Sequence, residues 1–204
     1  METFTSLSHR AENDPDWRVR LGSMRTLVVH SPDHPGTLMV VRGRAEEDES
    51  PHVRAAAISL LAEHWRLDPG TLMLVRAAAE NDDEAVVRQS ALMALLSGWP
   101  LDPGTLMVVR NRVEGDHDDD VRETAIRCLV EGWRNDPGTF MTIRRLGEDD
   151  PNPAIRRAAI ELMAASWSDQ PDTLAYLRLR SVREPDEELR QWVEGVLNHL
   201  EGCP

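Results

Sequence analysis

The stretch WRLDPGTLMLVR, Trp65 to Arg76, is followed 34 residues later by WPLDPGTLMVVR, Trp99 to Arg110, and after another 34 by WRNDPGTFMTIR, Trp133 to Arg144. No insertion or deletion separates them. The interval reaches further, since Pro35, Pro69, Pro103, Pro137 and Pro171 keep it, as do Thr37, Thr71, Thr105, Thr139 and Thr173. A second series, Val19-Arg20, Val53-Arg54, Val87-Arg88, Val121-Arg122, Ile155-Arg156 and Leu189-Arg190, runs at the same spacing through six copies. Six copies of 34 residues fill the 204, so repeats near 1–34, 35–68, 69–102, 103–136, 137–170 and 171–204 are expected within one continuous domain, 1–204.

Each copy encodes two helices. In the first, Asp68 is a good N-cap, Pro69 suits the first helical position, and Leu72, Met73 and Val75 supply an apolar face before the polar break at Asn81-Asp82-Asp83. The second begins near Ser50-Pro51 or Asn152-Pro153 and carries apolar residues four apart, as in Val53, Ala57, Leu61 and Trp65. The same stripe recurs at Val87 to Trp99, Val121 to Trp133 and Ile155 to Trp167. Neither helix buries its stripe alone, so the copies must stack. At the tryptophan position the first copy has Ser31 and the last Glu201, which marks them as caps.

The pattern D-x-x-x-x-V-R-x-x-A-[IL], seen in DESPHVRAAAI (Asp48 to Ile58) and DHDDDVRETAI (Asp116 to Ile126), resembles HEAT-like repeats. The tetratricopeptide family shares the 34-residue length, but its W-x-x-L-G-x-x-Y opening is missing. The junction in GWRNDPGTFMTIR further resembles HEAT-type arrays of actinobacterial proteins, often found C-terminal to NACHT-type signalling ATPases. That resemblance implies an all-α fold, a right-handed α-solenoid of six helical hairpins, and a sensor or binding role. The ATPase itself is missing, since no G-x-x-x-x-G-K occurs.

Composition narrows the function classes. All 23 basic residues are arginine, which removes P-loop and Schiff-base lysines. A net charge of -13 disfavours the phosphate backbone of nucleic acids. No run approaches the ~18 apolar residues of a membrane span, and METFTSLSHRAENDPDW lacks a signal-peptide core, so a cytoplasmic protein is expected. Cys128 and Cys203 form no disulfide framework and are read as reduced thiols. The seven histidines form no H-E-x-x-H or triad spacing. The run Asp116 to Asp120 imitates a calcium loop, but Val121 stands where glycine is needed and Arg127 where glutamate is needed. No cofactor, metal or catalytic residue is expected.

The residues that repeat suit structural roles. Asp14, Asp48, Asp82, Asp116 and Asp150, with Arg20, Arg54, Arg88, Arg122, Arg156 and Arg190, are placed to pair between copies through forked guanidinium bonds. The junction tryptophans suit packing between copies, and Arg42, Arg76, Arg110, Arg144 and Arg178 suit the carbonyls ending the first helix. The residues that vary are more informative. Positions two, six and ten beyond the valine of V-R lie on one face of the second helix, which in HEAT-like solenoids usually lines the concave side. From this face come Gln89, Met93, Glu123, Arg127, Glu131, Arg157 and Glu161 as candidate contacts for a protein or peptide. A non-catalytic scaffold is the expected function. The rivals are a HEAT-like enzyme, such as a DNA glycosylase or chromophore lyase, and a self-associating array.

Overall fold

A computed structural model describes residues 3–202; Cys203 lies outside them. Among the described residues twelve helices form six consecutive hairpins, and no strand occurs. The first helices of the copies are α1 (Phe4–Asn13), α3 (Pro35–Glu47), α5 (Pro69–Asn81), α7 (Pro103–Gly115), α9 (Pro137–Asp149) and α11 (Pro171–Arg183). The second helices are α2 (Trp17–His30), α4 (Pro51–His64), α6 (Ala85–Gly98), α8 (Asp119–Trp133), α10 (Pro153–Ser166) and α12 (Glu187–Glu201). The chain divides into two compact units, one ending at Ala125 and one beginning at Ile126, so that α8 crosses the boundary. In the first unit α4 packs against both α2 and α6, while α1 packs on α3 and α5 on α7. In the second unit α10 packs on α9 and α12. The second helices thus lie side by side within each unit.

The D-P-G-T motif has a separate physical reason for each of its first three letters. Asp68, Asp102 and Asp136 cap their helices by accepting the N–H of Gly70, Gly104 and Gly138 at 3.0, 2.8 and 2.8 Å. Proline follows at the first helical position, where a missing N–H costs nothing. The glycine leaves room for an arginine of the preceding copy. Arg42 reaches Asp68 and Arg76 reaches Asp102, and a Cβ on Gly70 would lie 2.7 Å from the Arg42 guanidinium. These two arginines therefore bridge forward to the next copy's cap instead of bonding the carbonyls of their own helix. In α3, His34 replaces the aspartate, accepting the N–H of Gly36 at 3.1 Å through Nδ1.

Burial follows the period of the helix, with two departures from the sequence reading. Val53, Ala57 and Leu61 are fully buried, as are Val87, Ala91 and Leu95. Trp65, Trp99 and Trp167, however, are C-caps beyond the helix end, with φ between -128° and -139°. Trp99 bridges copies by donating from Nε1 to the carbonyl of Arg66 at 3.2 Å, whereas Trp167 is buried edge-on to Phe140. In α5 the buried stripe is Thr71, Val75 and Ala79. Met73 falls midway between them along the chain, about 200° around the helix, and is 73% exposed. Met39, Met107 and Met141 are exposed in the same register.

One close approach is specific to the second unit. A Cβ on Gly147 of α9 would collide with the hydroxyl of Tyr176 on α11. That phenol is buried, has no hydrogen-bond partner among the described residues, and is raised well above its ordinary pKa, chiefly by burial. Gly147→Ala should therefore cost about 1–3 kcal/mol in chemical unfolding. Adding Tyr176→Phe should restore part of the loss, because the ring carbon behind the oxygen is 3.3 Å away. An equally unstable double variant would place the strain elsewhere.

Candidate functional site

Arg20, Arg54, Arg88 and Arg156 are bonded between copies. Arg20 donates through Nε and Nη2 to the carboxylate of Asp48 at 2.8 and 2.6 Å, and through Nη1 to the carbonyl of Asp14 at 2.9 Å. Arg54 does the same to Asp82, at 2.8 Å twice, and to the carbonyl of Asp48 at 2.7 Å. Arg88 binds Asp116 at 3.0 and 2.9 Å and the carbonyl of Asp82 at 2.8 Å. In the second unit Arg156 binds Glu184 at 3.1 and 2.5 Å and the carbonyl of Asp150 at 2.8 Å. Each arginine thus clips its own inter-helix turn to the carboxylate of the next copy. Arg122 donates to Asp119 one turn earlier on α8, and Arg190 binds Glu187 and the carbonyl of Glu184.

Each clip carboxylate also accepts a backbone N–H two residues on: Ser50 on Asp48 and Glu84 on Asp82, at 2.9 and 3.0 Å, and Asp118 on Asp116, at 3.0 Å. Burial alone would raise these carboxyls. The arginine hydrogen bonds, the backbone N–H groups and the guanidinium charge outweigh it, holding Asp48, Asp82, Asp116 and Glu184 below the ordinary carboxylate range. Asp116 is thereby held by Arg88, Arg112 and a backbone amide within the fold.

The varying positions are disposed differently. In the first unit, the side-chain amide of Gln89 is engaged with α8, donating to the carbonyl of Asp120 and the hydroxyl of Thr124, both at 3.0 Å. Met93 is 55% exposed and lines a groove of mixed polarity between α4 and α6 with Ser59, Glu63, Arg66 and Ser97. Glu123 is half-buried and has interactions of its own. In the second unit Arg127 and Glu131 are exposed one turn apart on α8, and Arg157 and Glu161 likewise on α10. Arg157 lies over the Trp192 ring of α12, 4.9 Å from its centroid. Glu161 borders a groove between α10 and α12 whose surface is mainly apolar.

Two members of these sets escaped the sequence reading. Glu184 continues the aspartate register, being 34 residues beyond Asp150, but with a longer side chain. Trp192 breaks a column otherwise filled by Gly22, Ala56, Ser90, Thr124 and Ala158. That exchange of small for large was the available signal. No group of three or more His, Cys, Asp or Glu among the described residues is arranged to hold a metal. Burial pushes the Cys128 thiol up to about 12, with Glu131 adding to the effect, so its reactive thiolate is disfavoured. No helix among the described residues is long and apolar enough to cross a membrane.

A protein-family model described as HEAT repeats matches residues 5–96 and 106–198, nearly the whole chain. Searches of curated proteins and of solved structures gave no match.

Proposed function

We propose, starting from the fact that this chain belongs to the HEAT-repeat family, that it is a cytoplasmic, non-catalytic scaffold that binds a protein or peptide on the exposed faces of its second helices. Stacked helical hairpins of this kind generally serve as extended binding surfaces. The carrying observation is a division of charge. The charges bonded in the Arg20, Arg54, Arg88 and Arg156 clips recur between copies, whereas Glu131 and Glu161 vary with copy and point outward without an ion pair among the described residues. Exposed, unpaired charge that the fold does not use is the expected feature of a recognition face. The resemblance of the junction to sensor arrays beside NACHT-type ATPases extends the proposal to an ATPase of that class as the partner context.

The test is partner capture from a lysate of the source organism, with bound proteins and nucleic acids identified. Glu131→Arg combined with Glu161→Arg should leave the melting transition within a few degrees of the parent, because neither side chain has an ion pair among the described residues, while capture falls at least tenfold. Equal capture by both chains would reject the second-helix faces, and recovery of nucleic acid in place of protein would reject the partner class.

A further inference from the structure

We propose that the groove between α10 and α12 receives the apolar side of a short amphipathic helix that carries a lysine or arginine opposite Glu161; this rests on the scaffold reading and assigns its partner class. The groove is open to solvent and has a volume of about 510 Å³. Ala164, Ala165, Gly195 and Val196 contribute to its lining, with Trp192 and Leu200, while Glu161 and His199 supply its polar groups. From Trp192 to His199 it follows two turns of α12, on the order of 10 Å. Two turns of an incoming helix, with anchors at i, i+3 or i+4 and i+7, would match that length.

Two exchanges unique to the last copy create this groove. Position 195 carries a side chain in every other copy, Arg25, Ser59, Met93, Arg127 and Glu161, and is glycine here. A glycine inside a helix is destabilising relative to alanine, and a Cβ at Gly195 would meet nothing within 4 Å. The chain's own packing therefore gives no reason for it. One turn earlier, the column of small residues becomes Trp192, braced by the Arg157 guanidinium. One exchange opens the floor and the other raises an aromatic wall, the form of a pocket for an aliphatic anchor.

Charge selects the occupant. Glu161 lines the groove and has no ion pair among the described residues, while the nearby Arg157 is engaged with the indole. A cationic flank on the partner complements this side of the groove. A second copy of a chain with net charge -13 would be repelled, and so would a phosphate backbone.

The test pans a displayed library of random dodecapeptides on the full chain and measures the enriched peptides by fluorescence anisotropy. The expected sequences combine helical apolar spacing with lysine or arginine. They should bind Gly195→Met at least tenfold more weakly, although that variant changes no charge and gains helix propensity, so it should melt no lower than the parent. Glu161→Gln should weaken them several-fold. Enrichment of acidic peptides, absence of any enrichment, or affinity unchanged by Gly195→Met would overturn the groove. The scaffold and the groove can fail independently. If capture is lost in Glu131→Arg/Glu161→Arg while peptides ignore Gly195→Met, the groove falls and the scaffold stands. Unchanged capture with groove-sensitive peptides would leave the groove standing and remove the wider second-helix face.

Discussion

Asp116→Ala is expected to destabilise the fold by about 3–5 kcal/mol. Its carboxylate accepts both forks of Arg88, whose side chain is 2% exposed. Removing it leaves an arginine charge without its counter-ion in a place water hardly reaches, which is far costlier than losing an exposed ion pair. Two further bonds go with it, from the backbone of Asp118 and from Arg112. Asp116→Asn should lose less, because one amide oxygen can still accept from the Asp118 N–H. Urea unfolding followed by circular dichroism gives the comparison. Since arrays of repeats can unfold in stages, the transition of the first unit is the one to follow. A loss below about 1 kcal/mol would mean that the Arg88 clip behaves like a surface salt bridge.

The second large effect is acid lability. Asp48, Asp82, Asp116 and Glu184 have folded pKa values depressed below their unfolded ones. Between the two values the unfolded chain binds more protons, so stability falls as pH falls. The contribution is fully present above the unfolded carboxyl range near pH 4 and is lost as pH drops through the folded values. The melting temperature should therefore be nearly flat from pH 8 to about pH 5 and fall steeply below about pH 4. The net charge of -13 works the other way, because acidification first relieves self-repulsion. A single substitution separates the two effects. Asp82→Asn should be less stable than the parent near neutral pH and should reduce the slope of stability against pH below pH 4 by up to one proton. An unchanged slope would show that this clip carboxyl is not a source of the lability.

The sequence carried the helix positions almost completely, because the cap chemistry of Asp68-Pro69 and the four-residue stripe from Val53 to Leu61 are local. It was less reliable about direction. Each residue turns a helix by about 100°, so grouping Met73 with Val75 as one apolar face placed an exposed side chain in the core. Trp65 continued the four-residue count of α4, but the helix stops at His64 and the indole acts from the C-cap instead. Arg42 gave no sign in sequence that it would reach forward to Asp68, 26 residues away, because that contact depends on how copies stack. The close fit of Gly147 and Tyr176 is likewise a contact between copies. The varying positions were visible as a column, but only the structure separates Gln89, engaged with α8, from Glu161, exposed beside a groove.

The most direct measurement is amide hydrogen exchange on the chain with and without its captured partner. If the second helices are the binding face, new protection appears on the α10 and α12 segments and on α8 around Glu131, while α5, α9 and α11 exchange at the free rate. Protection concentrated instead on the first helices, around the exposed Met73, Met107 and Met141, would contradict that assignment and move the binding surface to the opposite layer.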